Sequence, residues 1–468
     1  MASHIPENVK RRRRPMPWSR RRLTLLLVLA AAMTLPVLLA GVYRHKANQR
    51  LEAKFEAIRA AGYPATKEDL EAWYPAPVEE ENAGPVVEQA MKAFKGRVGE
   101  YDYQDISEAM DEAPKGGRLP EEVLAMMRAY LVENGEALRL FHELAQHPER
   151  RFPVDLSKGF EMELPHLAQL RQGVRLLGLE ALVAAHDGNT QLAFEALLDS
   201  LSVAETLGEE PILISQLVRV ACNGSSTSNL GRVLQVTDFS PEQLTLLQHA
   251  LARAEEPEAL SRALATERAV GTTAYVDPGG YIDMVGGVAA WDNFVPGATR
   301  VLAQAGGAIG WFDSEREEYL DHMGEMIEAN RLPYHEALDV MARLEQELED
   351  PGFIPRMSDG LLPGLTRATQ SMARDAGNLR TAATAIAVER YENSYGKPPD
   401  RLEDLVPAFL DAVPLDPYDG KPLRYRAEEN GYLLYSVGEN RQDDGGVQTE
   451  NRQWGTEDWV FQVLRGIE

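Results

Sequence analysis

The chain is short of three things: cysteine, positive charge and long hydrophobic runs. It has one cysteine in 468 residues, so no internal disulfide can form. A chain of this length needs none, because it can bury two or three ordinary cores. Cys222 stands in Val220-Ala221-Cys222-Asn223-Gly224 with no His/Asp motif around it. That context suits a buried structural thiol rather than a nucleophile. Lys and Arg total 48 against 73 Asp and Glu, a net charge of −25. The scarce positive charge is also badly distributed. Residues 1–22 hold Lys10, Arg11 to Arg14 and Arg20 to Arg22 against one acid, Glu7, a local charge of +7 that leaves −32 on everything after it. A body so acidic repels nucleic acid and anionic lipid surfaces alike, which excludes nucleic-acid binding by electrostatic attraction.

The strongest hydrophobic signal is the uncharged run from Leu23 to Tyr43, 21 residues long. About 20 apolar residues cross the hydrocarbon core of a bilayer as a helix. Basic residues stay on the cytoplasmic side, so the reading is a single-pass inner (cytoplasmic) membrane protein. Its N-terminus is then cytoplasmic and its body periplasmic or extracytoplasmic. A cleaved signal peptide is the rival. Its apolar core would be shorter and would end in a small-x-small site, whereas this run ends Leu38-Leu39-Ala40-Gly41. Ser19-Arg20-Arg21-Arg22-Leu23 faintly resembles a twin-arginine export signal but lacks the same cleavage site.

Residues 44–85 read as a stalk. Leu51, Phe55 and Ile58 share a helix face that stops at Gly62-Tyr63-Pro64, and Trp73-Tyr74-Pro75-Ala76-Pro77 makes a rigid break. Residues 86–360 read as a helical domain. Its clearest part is 164–207, where Leu167, Leu170, Val174, Leu177 and Leu182 precede a turn at Ala185-His186-Asp187-Gly188-Asn189. Leu192, Leu197, Leu198, Leu201 and Ala204 then continue on a second helix that must pack antiparallel to the first. Gly188-Asn189-Thr190-Gln191-Leu192-Ala193 resembles the turn between tetratricopeptide-like helices, without the full repeat consensus. A third helix is expected from Pro211 to about Val220. Residues 271–312 carry few charges and either line a hydrophobic groove, touch the bilayer, or form core helices with long loops.

No catalytic motif stands out in the sequence. His142-Glu143-Leu144-Ala145-Gln146-His147 has one residue more than a zinc-protease helix. A five-residue step puts two imidazoles about 140° apart, so this reads as ordinary surface helix. His166 after Pro165 and His335 after Tyr334 read as caps or surface. There is no G-x-S-x-G, Walker loop or dinucleotide fingerprint, and Gly279-Gly280-Tyr281 reads as a turn. Carboxylates are too numerous for any pair to be singled out as acid and base.

Residues 361–468 give the sharpest pattern. Leu365, Ala368, Met372, Ala376, Leu379, Ala383, Ile386 and Arg390 step by three or four along a helix ending at Tyr395-Gly396. A short helix at Leu402 to Val406 follows, then the turn signature Asp416-Pro417-Tyr418-Asp419-Gly420. Strand-like runs Leu423 to Ala427 and Tyr432 to Val437 flank Asn430-Gly431, a type I′ hairpin signal.

The ordered series Ala387 to Pro398, Leu402 to Val406, Val413-Pro414-Leu415-Asp416-Pro417-Tyr418 with Gly420, Pro422 and Tyr425, and Leu434 to Gly438 resembles the globular end of the major pseudopilin of type II secretion. The match covers about a fifth of the chain. It implies a long helix packed on a small antiparallel sheet. It also implies a calcium (Ca²⁺) loop whose halves fall on Asp443-Asp444-Gly445-Gly446 and Asp458-Trp459. Asp443, Asp444 and Asp458 are then candidate ligands, the alternative being a solvated acidic loop. A pseudopilin also has a prepilin leader and a glutamate inside its membrane helix. Here that glutamate is missing and over 300 residues separate the span from the C-terminal helix. The expectation is therefore a borrowed domain and not a polymerising pilin.

The fold class expected is mainly α: an N-terminal transmembrane helix, an α-helical hairpin array and a small C-terminal α+β pseudopilin-like domain. The function expected is a non-enzymatic interaction or scaffold protein of the cell envelope. It would touch the bilayer through residues 23–43, bind a protein partner, and be linked to a secretion or pilin-like assembly. The alternative is an extracytoplasmic hydrolase with its site near residues 271–312.

Overall fold

The computed structural model describes residues 20–79, 82–113, 116–147, 150–278, 312–348, 362–447 and 458–465. The protein is mainly helical with a small antiparallel sheet. A long first helix, α1 (Arg20–Ala60), is followed by α2 (Leu70–Trp73), α3 (Gly84–Ala93), the two-residue strands β1 (Arg97–Val98) and β2 (Tyr101–Asp102), α4 (Tyr103–Glu112), α5 (Glu121–Glu133) and α6 (Gly135–Gln146). The centre is α7 (Pro165–His186), α8 (Thr190–Glu205), α9 (Leu213–Val233), α10 (Pro241–Ala254) and α11 (Ala259–Val276). Then come α12 (Asp313–Ala329), α13 (Tyr334–Leu348), the 33-residue α14 (Pro363–Tyr395) and the strands β3 (Arg424–Glu428), β4 (Gly431–Ser436) and β5 (Trp459–Leu464).

The α7–α8 hairpin forms where expected. Gly188 takes the left-handed conformation, φ 76°, that closes a helix, and the Asn189 side chain accepts from the Leu192 amide to start the next. At Gly178 a Cβ would collide with the Asn229 side chain, so the missing Cβ lets α9 approach α7. The third helix is longer than its sequence suggests. It begins at Leu213 and runs to Val233, straight through Cys222-Asn223-Gly224-Ser225-Ser226. These are poor helix formers, and burial between α7, α8 and α14 overrides their propensity.

Residues 44–60, expected in a stalk, lie against the body. Leu51 and Phe55 share a buried cluster with Tyr319, Leu320 and Met323. Alongside them Arg50 pairs with Glu317 at 3.0 Å, and Lys54 pairs with Asp321. The helix upstream is unbroken from Arg20, but most side chains between 20 and 40 lie outside the described residues. Among the described residues no helix is long and apolar enough to cross a membrane, so the expected span at 23–43 is not established by them.

In the C-terminal part, α14 ends at Gly396 in the left-handed conformation, φ 74°, where expected. Its apolar stripe is only one of its buried faces, because Ala373, Ala382, Ala385, Ala387 and Val388 are buried as well. One side covers the sheet and others meet α9, α10 and α13. The sheet order is β3-β4-β5, all antiparallel. The hairpin forms one residue out of the expected register: Glu428 faces Gly431, so the two-residue loop is Glu429-Asn430. Gly431 has φ 145°, and a Cβ there would strike the Val463 carbonyl oxygen. Its glycine serves the close passage of β5 and not a type I′ turn. The largest of the hydrophobic clusters runs from Leu70 and Phe141 through Leu182 and Leu230 to Ile386, Tyr432 and Val463, beside the separate cluster of Leu51 and Phe55. The helical body and the sheet thus share one interior.

Candidate functional site

The unusual feature of this interior is the face of α9. Ser215, Gln216, Arg219, Asn223, Ser226, Thr227 and Asn229 are all buried, at spacings that keep them toward α7, α8 and α14. Buried polar groups need partners, and most of these have them. The Gln216 amide donates to the Leu207 and Glu210 carbonyl oxygens at 2.7 and 2.6 Å, which fixes the α8–α9 connection. Arg219 donates to Gln216 at 2.8 Å and to the Ala254 carbonyl oxygen at 2.6 Å. Asn223 donates to Asp375 of α14 at 3.0 Å, and Ser226 meets Ser200 at 2.5 Å.

Beside this face opens a cavity of about 540 Å³ lined by Tyr74, Arg150, Arg151, Glu205, Thr206, Gly208, Glu209, Arg219, Asn223, Arg253, Ala254 and Glu256. Several of its charges are committed. Arg253 pairs with Glu205 at 3.4 Å, and Arg150 donates to the Ala145 carbonyl oxygen at the C-terminal end of α6 at 2.6 Å. Arg151 stacks over Tyr74 at 4.3 Å and donates to Pro75. The buried Arg219 and Asn223 differ: Nη2 of the first and Oδ1 of the second have no hydrogen-bond partner. Behind the wall, the other carboxylate oxygen of Asp375 is also without one. Burial lifts Asp375 to about 7 despite the nearby Arg219 guanidinium and the Asn223 amide. Arg380 holds Glu255 through its Nε, at 3.0 and 3.1 Å from the two carboxylate oxygens, and through its Nη2, and it lies over the Tyr334 ring.

Two histidine clusters depart from the surface reading. His142 is half-buried between helices, its Nδ1 2.6 Å from Asp199 and its Nε2 2.6 Å from Glu180. Burial disfavours its charge, but the two carboxylates outweigh that and raise it to about 9. It is therefore an imidazolium bolt joining α6, α7 and α8. His166 is buried, stacked on Phe152 at 4.5 Å and paired with Glu210 at 3.0 Å, which in turn accepts from Ser215. The carboxylate sits in the middle of that trio, so the histidine cannot act as base for the serine. The sequence hides both clusters because their partners come from distant helices. His335 is partly exposed beside Gly420. Cys222 is buried, and burial pushes its thiol up to about 12. That agrees with the structural reading.

The three candidate calcium ligands fall in one loop region. Asp443 accepts from the Tyr435 hydroxyl and the Gly445 amide, both at 3.0 Å. Asp444 accepts from Asn440 at 2.9 Å, and Asp458 from the Gly446 amide at 2.7 Å. Asp458 is buried, its Oδ1 has no partner, and burial together with the charges of Asp444 and Asp443 holds it above the usual carboxylate range. Among the described residues no three His, Cys, Asp or Glu groups converge on one point as a metal site requires. The intervening residues 448–457 lie outside the described set, as does most of the 271–312 segment.

No family model matches the chain, and no curated protein or solved structure is detectably similar to it.

Proposed function

We propose that this chain is a membrane-anchored interaction protein. Residues 23–43 would lie in the bilayer, and the body would act on the extracytoplasmic side as a non-enzymatic scaffold linked to a secretion or pilin-like assembly. The observation that carries the reading is α1. It is one helix from a basic head through an apolar run into the body, and Val28, Leu38, Val42 and Tyr43 on it are exposed, with relative accessibilities of 54–65%. Exposed apolar side chains in such a row suit lipid better than water. The pseudopilin-like reading draws support from α14 packed on an antiparallel sheet in the order the resemblance implies. Calcium belongs to the same proposal. Asp443, Asp444 and Asp458 supply carboxylate oxygens around loop glycines, and one buried oxygen of Asp458 lacks a partner.

The test is crosslinking of tagged full-length protein in native membranes, followed by identification of what co-purifies. Enrichment of secretion or pilin-like components is expected. Recovery of the protein from the soluble fraction, or of nothing but itself from membranes, refutes the reading. For calcium, a melting temperature unmoved by calcium or chelator removes that part alone. A hydrolase is the second reading, favoured by Asp375, a buried carboxyl at about 7 one residue behind a cavity wall. Hydrolysis of ester, peptide or glycoside substrates that disappears in Asp375→Asn would establish it.

A further inference from the structure

Three helices, α1, α11 and α12, reach the same end of the body, and their contacts fix the level of each. Arg44 lies 3.8 Å from Asp313, Arg50 lies 3.0 Å from Glu317, and Lys54 pairs with Asp321. Asp313, Glu317 and Asp321 step by four, which keeps them on one face of α12. Both series ascend along the chain, so α1 and α12 run parallel and the first turn of α12 stands beside Arg44. α11 runs the other way. The Ser261 hydroxyl donates to the Ile327 carbonyl oxygen at 3.2 Å, and the Tyr319 hydroxyl donates to the Glu267 carbonyl oxygen at 3.0 Å. From the contact of Ser261 with Ile327, Val276 lies about 22 Å on along α11 and Asp313 about 21 Å back along α12, at 1.5 Å per residue. The end of α11 is therefore level with Asp313 and Arg44, and so with the end of the apolar run at Tyr43. Val276 is 69% exposed there, and Val42 and Tyr43 beside it are exposed as well.

We propose that this end of the body, with Val276, Val42 and Tyr43 on it, rests on the surface of the lipid bilayer. α11 and α12 then stand on the membrane beside the continuation of the span. The inference rests on the anchor reading above and adds the face of the body that meets lipid. Two observations favour lipid as the occupant. α1 is one unbroken helix through this level, and its three ion pairs with α12 hold the body against it without a hinge. Tyr43 offers an apolar ring with a polar tip, and the exposed Arg44 and Lys46 follow it, the order that suits the passage from acyl chains to phosphates. A second copy of the chain fits this end poorly, because Asp277, Asp313 and Glu315 of each copy would face those of the other.

The test measures depth with one spin label at a time. Cys222 is buried and does not react, so Val276→Cys and Leu332→Cys each give a single labelled site in the full-length chain. Both positions are exposed, so both variants keep the fold. Leu332 lies just past the far end of α12, a helix about 25 Å long. In phosphatidylcholine nanodiscs that hold a nickel-chelating lipid, relaxation of the label at 276 should exceed that at 332 several-fold. Equal relaxation at the two sites, or more at 332, overturns the inference and leaves the anchor in place. A label at 276 that is shielded from a soluble nickel chelate but not relaxed by the lipid assigns this end to a second copy or another protein, which also overturns it. Protein that fails to enter the discs removes the anchor reading itself, and this inference with it.

Discussion

The His142 bolt gives this protein an alkaline weakness that can be measured. The imidazole rises from an ordinary 6.5 to about 9 because Asp199 and Glu180 hold its two nitrogens, 2.6 Å each, against the opposing effect of burial. A rise of that size corresponds to about 3 kcal/mol favouring the protonated folded state. The side chain is 26% exposed, so solvent screening brings the expected figure to about 2 kcal/mol. Because the folded value is raised, the stability is fully present below 6.5 and is lost as pH climbs from there through about 9. Above that pH a neutral ring has one N–H for two carboxylates, and one of them faces a lone pair. Urea unfolding of wild type and His142→Gln across this range is the assay. Wild type should lose about 2 kcal/mol more than the variant between neutral pH and 9.5, and the variant should be weaker at pH 6 by a similar amount. Parallel curves for the two proteins would refute the reasoning, since other alkaline titrations affect both alike.

Three further expectations follow from buried groups. Asp416 is fully buried and accepts from the Tyr418 and Val437 amides, the Ser436 hydroxyl and Arg424 at 2.8–2.9 Å. Asp416→Asn should therefore cost about 3 kcal/mol in thermal unfolding, because the amide's one oxygen replaces a carboxylate that accepts from four buried donors, while Arg424 keeps only Asp419, and a change below about 1 kcal/mol would contradict this. Gly431→Ala should loosen β5, seen as faster amide exchange along residues 459–464, with unchanged exchange the contrary result. Asp375 has a folded value raised to about 7, so wild type loses stability as pH rises from the ordinary carboxylate range through 7. Asp375→Asn should shrink that decline and match or exceed wild type at pH 8, and a loss of stability between pH 5 and pH 8 as large in the variant as in wild type would sink the account.

Local features were legible in the sequence. The α7–α8 hairpin, the end of α14 at Gly396 and the strand–turn–strand run near residue 430 are written in short-range signals: an αL glycine, a capping asparagine, a two-residue turn. The errors came from tertiary context. Propensity stops α9 near Val220, whereas burial carries it to Val233. Asn430-Gly431 signals a type I′ turn, but Gly431 answers to a strand from 30 residues downstream. The cavity was invisible because Arg150, Glu205, Arg219 and Arg253 look like solvated charges in an acidic chain until four segments bring them together. A signal did exist in the run Ser215, Gln216, Arg219, Asn223 and Thr227: polar residues at helical spacing beside apolar ones, on a helix with no exposed polar stripe to explain them.

The shared interior has a consequence for biosynthesis. β5 lies beyond residue 458, yet Phe461 reaches Gly231 and Arg465 reaches the Leu234 carbonyl oxygen and the buried Glu389. The helical body before residue 360 therefore leaves part of its core uncovered until residues 459–465 are made. A nascent chain stays a client for holding factors until residues 459–465 are delivered. Termination just before residue 459 would yield a species for proteolysis and not a shortened, working body.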